Sequence, residues 1–349
     1  MRTHAVCILL VLLGTSLAWP ASLQKLALHY AVKADPAPVL DGKLDDPCWK
    51  LAPPFTYYVR IYGDNYQDIS LQAAWDDAGL YLAIVNSEQH LERLKVNVRT
   101  RDGGMVWDDD SAEIYLDPTA TAASLFKFDV NSIGVIADYW QVDVGFTDYT
   151  WNASSARAAT GRTPDAWIIE FFVSWADIKK TPQAGDIWML THQRFSYTSG
   201  NGSRTAMSTN GGSFYNRRFG YLYFADEALP PPPEVGAKLL KLAVQPWVMP
   251  LNGDWLYGQN SQLGSLSTEA LLLRFQGQAQ QALNTVAEAL KTAPDARSQQ
   301  QFDALNKRFD DACAAAQGGD IFPSMQEFHK ITGEAENLRD EVLLAELLK

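Results

Sequence analysis

Val106-Trp107-Asp108-Asp109-Asp110-Ser111-Ala112-Glu113-Ile114-Tyr115-Leu116-Asp117 is the stretch on which the reading of this chain turns. From Ala112 onward apolar and polar residues alternate, which is the period of a strand whose two faces see different surroundings. Ala112, Ile114 and Leu116 then face a core, and Glu113, Tyr115 and Asp117 face the other way. Trp107 stands just ahead of the strand, where a loop residue can reach the mouth of a groove. Similar short runs recur between residues 30 and 226, broken by Gly, Asn, Asp and Pro. They include Leu71–Trp75, Leu80–Val85, Leu125–Val130, Trp167–Val173, Ile187–Leu190 and Tyr221–Phe224. Runs of this length and spacing predict an antiparallel β-sandwich.

Further along, the composition changes twice. Pro230 to Pro233 read as a stiff, extended linker, placed at 227–237. From about 265 the chain is rich in Ala, Leu, Gln, Glu and Lys at helical spacing. Helices are expected from Ser267, a natural N-cap, to about Lys291, from about Ala296 to Ala316, and from about Pro323 to Leu348. The expected architecture is mainly β: an antiparallel sandwich over 30–226, followed by a C-terminal all-α helical bundle over 238–349. At the other end, Ala5 to Leu13 are apolar behind Arg2 and His4, and Ser16-Leu17-Ala18 offers a small-x-small cleavage site. Residues 1–18 therefore read as a signal peptide, and the protein as secreted or periplasmic. No later stretch is long enough to span a bilayer.

The 349 residues are 47% hydrophobic and 20% charged, with a formal net charge of -12. A chain of this length has room for two ordinary cores. An acidic surface repels phosphate backbones and anionic lipid, which argues against nucleic acid and membrane surfaces as partners. Cys7 lies in the leader. Cys48 and Cys313 are expected as unpaired thiols, one beside Trp49 in an apolar patch and one in an Ala-rich helix. No Cys and His spacing suggests zinc.

Four pieces of the first domain stand out together. They are Val39-Leu40-Asp41-Gly42-Lys43-Leu44-Asp45-Asp46-Pro47-Cys48-Trp49, Gln72-Ala73-Ala74-Trp75-Asp76-Asp77-Ala78-Gly79-Leu80-Tyr81-Leu82-Ala83, the opening stretch at 106–117, and Arg218-Phe219-Gly220-Tyr221-Leu222. Trp167-Ile168-Ile169-Glu170 followed by Ser174-Trp175 makes a fifth, with Ser174 where a proline is usual. In this order, over about 36–225, the set resembles the family 9 carbohydrate-binding modules.

That resemblance implies a sandwich that binds the end or a side chain of a polysaccharide or oligosaccharide without catalysis, with calcium held structurally. It implies that Trp107 is one wall of an aromatic clamp and that Glu113 bonds sugar hydroxyls. The opposing wall falls on Phe214 or Tyr215. A basic residue of the family falls near Asp129, with Lys127 two residues earlier as its replacement. The physical logic agrees: a flat aromatic covers the C–H face of a sugar, and carboxylates and amines bond its rim. Trp49, Trp75, Trp167, Trp175 and Trp188 read as core. Trp140 and Trp151 either extend a groove or shield a loop.

Asp108, Asp110 and Asp117 form the candidate calcium set, with Asp41, Asp45 and Asp46 as a second cluster; solvated turn carboxylates are the alternative. Three other functions compete. A glycosidase or lyase needs only two well-placed carboxylates, which are abundant. A haem-binding relative would draw on Met105, Met207 and His192. A structural protein with a ligand-less sandwich would use the helical domain for a protein partner or self-association.

Overall fold

A computed structural model describes residues 22–348 apart from 65–66, 143–145, 208–219, 227–228, 230–231, 244 and 252–253. The expected leader, and both Phe214 and Tyr215, lie outside the described residues. The chain divides into two compact units, one spanning Gln24–Leu266 and one built on Ser267–Lys349.

In the first unit the strands are β1 (Gln24–Lys25), β2 (Leu28–Lys33), β3 (Val59–Tyr62), β4 (Ile69–Trp75), β5 (Gly79–Ser87), β6 (Ser111–Asp117), β7 (Ser124–Asn131), β8 (Ile136–Val142) and β9 (Phe146–Asp148). They continue with β10 (Arg157–Arg162), β11 (Ala166–Ser174), β12 (Ile187–Ser196), β13 (Ser203–Ala206), β14 (Gly220–Phe224), β15 (Trp247–Leu251), β16 (Asp254–Gln259) and β17 (Gln262–Ser267). Helices α1 (Pro47–Leu51), α2 (Trp175–Ile178) and α3 (Pro232–Leu242) lie between them. Hydrogen bonds connect β10-β11-β5-β4-β2-β14-β12-β6-β7-β8-β9 in that order, with β13 and β3 continuing from β12.

This ribbon folds over one apolar core, as the alternation predicts. Ala112, Ile114 and Leu116 of β6 meet Leu71, Leu82, Ile84, Phe128, Trp167, Phe171, Trp188 and Phe224 there. Each such side chain contributes roughly 1.5–3 kcal/mol by leaving water. Trp49, Trp75, Trp167, Trp175 and Trp188 are all at most 5% exposed and serve the interior, as read from the sequence. Trp151 joins them, its ring 4.8 Å from that of Phe126, so it does not extend a groove.

Most of the family-like motif residues are fasteners. The Glu170 carboxylate accepts hydrogen bonds from the backbone N–H of Asp41 and Gly42 and from Trp49 Nε1, tying the first motif to β11. Gly42 is required there, because its φ is +84° and a Cβ would lie 2.5 Å from the Thr160 carbonyl oxygen. Asp76 accepts from the N–H of Ala78 and Gly79 and from the Tyr81 hydroxyl, closing the β4–β5 turn. Ser174, in the usual proline position, caps α2 by accepting from Asp177 N–H.

The outward face of β6, β7, β12 and β14 is divided. At one end Tyr115, Leu125, Met189, Tyr221 and Tyr223 are covered by Val235 and Leu239 of α3 and by Trp247 and Met249 of β15. These covering elements correct the sequence reading at 227–237. The segment from Pro232 is a helix, since a proline in the first turn loses no intrahelical bond. The strands at 247–267 belong with the sandwich unit, and the helical unit begins at Ser267 instead of 238.

The second unit contains α4 (Thr268–Thr292), α5 (Ala296–Gln317) and α6 (Ile321–Leu347), close to the expected spans. Ser267 caps α4 and Asp295 caps α5 through their side chains. Leu271, Phe275, Leu283 and Val286 of α4 are buried, as are Phe309 of α5 and Phe328 and Ile331 of α6. Cys48 and Cys313 are both free thiols. Among the described residues no helix is long and apolar enough to cross a membrane.

Candidate functional site

The other half of the outward face is polar. Strand register places Ala206, Gln193, Glu113, Asp129 and Ala137 side by side across β13, β12, β6, β7 and β8. The next row is Thr191, Tyr115, Lys127 and Tyr139. Alternation puts all of these on the side away from the core, as Glu113 and Tyr115 were expected to be.

At the centre Lys127 Nζ lies 2.8 Å from Glu113 Oε1 and 3.1 Å from Asp129 Oδ2. The other Glu113 oxygen accepts from the Tyr115 hydroxyl at 2.7 Å and from Gln193 Nε2 at 3.1 Å. Aromatic rings surround the ammonium: its Nζ is 5.0 Å from the Trp107 ring, 5.4 Å from Tyr139 and 5.5 Å from Tyr115. Glu113 is 3% exposed, and Asp129 is fully buried. Lys127 reaches along β7 to Asp129, two residues away.

Trp107 sits on a short 3-10 turn, Val106–Asp108, and is half-buried. Its ring lies 6.2 Å from that of Tyr139, whose other neighbour at 5.1 Å is Tyr149, 67% exposed. Three rings thus run from the cluster toward solvent. Trp140 is half-buried on the other side of β8, in register with Phe126.

One ammonium faces two carboxyl groups. Burial disfavours the Lys127 charge, but Asp129 and Glu113 outweigh it and hold the ammonium well above its usual pKa. Burial pushes the Asp129 carboxyl well above the usual carboxylate range, Glu113 adds to that, and Lys127 opposes it. Polar atoms here remain without partners: neither Asp129 oxygen has a hydrogen bond (the Lys127 approach is an ion pair only), and Gln193 Oε1 has none.

The candidate calcium ligands are not gathered at one point. Asp108 accepts from the Tyr197 hydroxyl and pairs with Lys95. Asp110 accepts from the backbone N–H of Lys95 and Tyr197. Asp117, roughly 20 Å from Asp110 at the far end of β6, accepts from Thr119 and Ala122. Asp109, between the first two, holds Asn97 and Val98 by their N–H groups. In the second cluster Asp41 pairs with Lys43, and Asp46 accepts from Val39 N–H. Among the described residues no group of three or more His, Cys, Asp or Glu is placed to hold a metal ion.

The haem set also fails to converge. His192 is buried with Nδ1 2.9 Å from the Tyr58 hydroxyl, Met207 is buried opposite it, and Met105 is 57% exposed on the loop before Trp107.

An open groove of about 940 Å³ lies elsewhere, lined by Asp35, Asp76, Asp77, Asp226, Lys33 and several aliphatic residues. Its described lining includes no aromatic ring to stack on a sugar. Sequence reading missed Tyr139 and Gln193 as partners of Glu113 and Lys127. Their place on the outward face follows from the two-residue period, but which strands adjoin does not.

The family model for the carbohydrate family 9 binding domain-like group matches residues 40–218, just over half the chain. Among solved structures, a family 9 carbohydrate-binding module from Caldicellulosiruptor kristjanssonii in complex with cellotriose is 21% identical, covering 59% of this chain and 98% of that one at a TM-score of 0.43. A carbohydrate-binding protein candidate from Bacteroides uniformis is 13% identical, covering 58% and 99% at a TM-score of 0.45. No curated protein matches the chain in sequence. With the motifs fastened as above and the family model spanning the sandwich, the chain belongs to the carbohydrate family 9 binding domain-like family.

Proposed function

We propose that this protein is an exported, non-catalytic carbohydrate binder whose sugar site is the polar half of the outward face, with Trp107 as its stacking wall. The observation that carries this is the Glu113–Lys127–Asp129 cluster ringed by Trp107, Tyr115 and Tyr139. Rings match the apolar face of a pyranose, and the cluster matches its hydroxyl rim. Export rests on the leader-like residues 1–18. Membership in a family of binding modules supports the absence of turnover.

Affinity is expected to be modest, because sugar hydroxyls are well hydrated and one ring covers little area. A glycan array probed with the full chain and with Trp107→Ala tests the site. Signals on a defined set of glycans that vanish in the variant support it. Signals unchanged by the variant reject it.

A further inference from the structure

Arg204 is out of keeping with its surroundings. It lies on β13 in the row adjoining Glu113's, in register with Phe195 of β12 and Tyr62 of β3. Its guanidinium carbon is 5.7 Å from the Phe195 ring and 5.8 Å from the Tyr62 ring. The residue is only 9% exposed, and Nε is sealed from solvent without a hydrogen-bond partner. Among the described residues no carboxylate pairs with it. The buried cations nearby are treated differently: Lys127 has Glu113 and Asp129, and Arg194 has Glu88.

A buried guanidinium whose Nε has no hydrogen bond and which no described carboxylate faces is costly, and a partner anion removes that cost. Its planar fork fits a carboxylate in two parallel hydrogen bonds. Ser111, in register with Phe195, adds a buried hydroxyl that also has no partner. Tyr62, 46% exposed, offers a ring at the open edge. By strand spacing Arg204 lies roughly 12 Å from Glu113, further than one pyranose reaches. Around Trp107 the balance is opposite: two carboxyl groups against one ammonium repel an acidic sugar.

We infer that Arg204 holds the carboxylate of a uronic acid, so that the oligosaccharide bound on this face is mixed, with a neutral sugar against Trp107 and an acidic one further along. This rests on the carbohydrate reading above, which it sharpens to a substrate class.

The test is calorimetric titration of the full chain with an oligosaccharide that pairs a neutral terminal sugar with an internal uronic acid, and with its carboxyl-reduced counterpart. The acid form is expected to bind about ten-fold tighter, the worth of one charge-assisted pair. Arg204→Met, which keeps an apolar stem between the two rings, is expected to erase that difference and to leave the reduced ligand's affinity unchanged. Added salt should narrow the gap in the wild type, a readout that survives if the variant does not fold. Equal binding of the two ligands, or preference for the reduced one, overturns the assignment while leaving the carbohydrate reading intact. Absence of binding to either ligand, with a blank glycan array, overturns both.

Discussion

The same strands, β6, β7 and β12, carry two opposite solutions on one face. Toward one end, Tyr115, Leu125 and Met189 are sealed beneath Val235 and Leu239 of α3. Toward the other, further along the same strands, Glu113, Asp129 and Gln193 are just as hidden but polar, with acceptor atoms of Asp129 and Gln193 left without hydrogen bonds. An apolar cover is enough to hold the first half together. The second half gains nothing in stability from acceptor atoms that lack a hydrogen bond, since burying a polar group without a partner costs free energy. The divided face therefore separates what α3 covers from where we place the sugar.

The largest expected break in that comparison comes from Lys127→Met. It leaves Glu113 and Asp129 buried without their cation, a loss of roughly 3–5 kcal/mol at neutral pH in urea unfolding. A variant as stable as the wild type at pH 7 would show that the ammonium does not hold this half together. Leu239→Ala attacks the covered half and should cost about 2–4 kcal/mol through the cavity it leaves. Sugar affinity measured below its melting temperature should be unchanged. If affinity fell along with stability, the two halves would be coupled after all.

Acid acts on the core side of the same sheet. Burial lowers His29 and His192 to about 3, so both are neutral in the folded protein. The unfolded chain takes up a proton on each near pH 6.5, so their contribution is complete above that value and is lost as pH falls toward 3. Each histidine should cost about 1 kcal/mol between pH 6.5 and 5.5. His29→Phe, against the Phe55 ring 4.2 Å away, should remove its half of that slope. An unchanged slope in unfolding titrations would place the proton uptake elsewhere. The smallest effect on stability, under about 1 kcal/mol, is expected from Trp107→Ala because the ring is already half-exposed. Its binding should nevertheless be lost.

Much of this was legible in the sequence where the signal is local. The two-residue period of Ala112–Asp117 placed Glu113 and Tyr115 on the outward side, and Ser267 marked the start of α4. Non-local pairings were not legible. Gln193 meets Glu113 across 80 residues of chain, and nothing near either residue announces it. The aspartates after Trp107 looked like metal ligands because a carboxylate that clasps backbone N–H groups and one that binds calcium have the same composition. Only the geometry of Asp109 and Asp110 against 95–98 and Tyr197 separates them. The proline run concealed α3 because its first turn, where proline is tolerated, looks like a linker when read alone.

A crystal structure of the full chain with a bound oligosaccharide tests the division of the face most directly. The prediction is a pyranose stacked on Trp107 with a hydroxyl within hydrogen-bond reach of Glu113 or Lys127. A sugar seated instead in the acidic groove beside Asp76 and Asp226, with the Trp107 ring untouched, would contradict it.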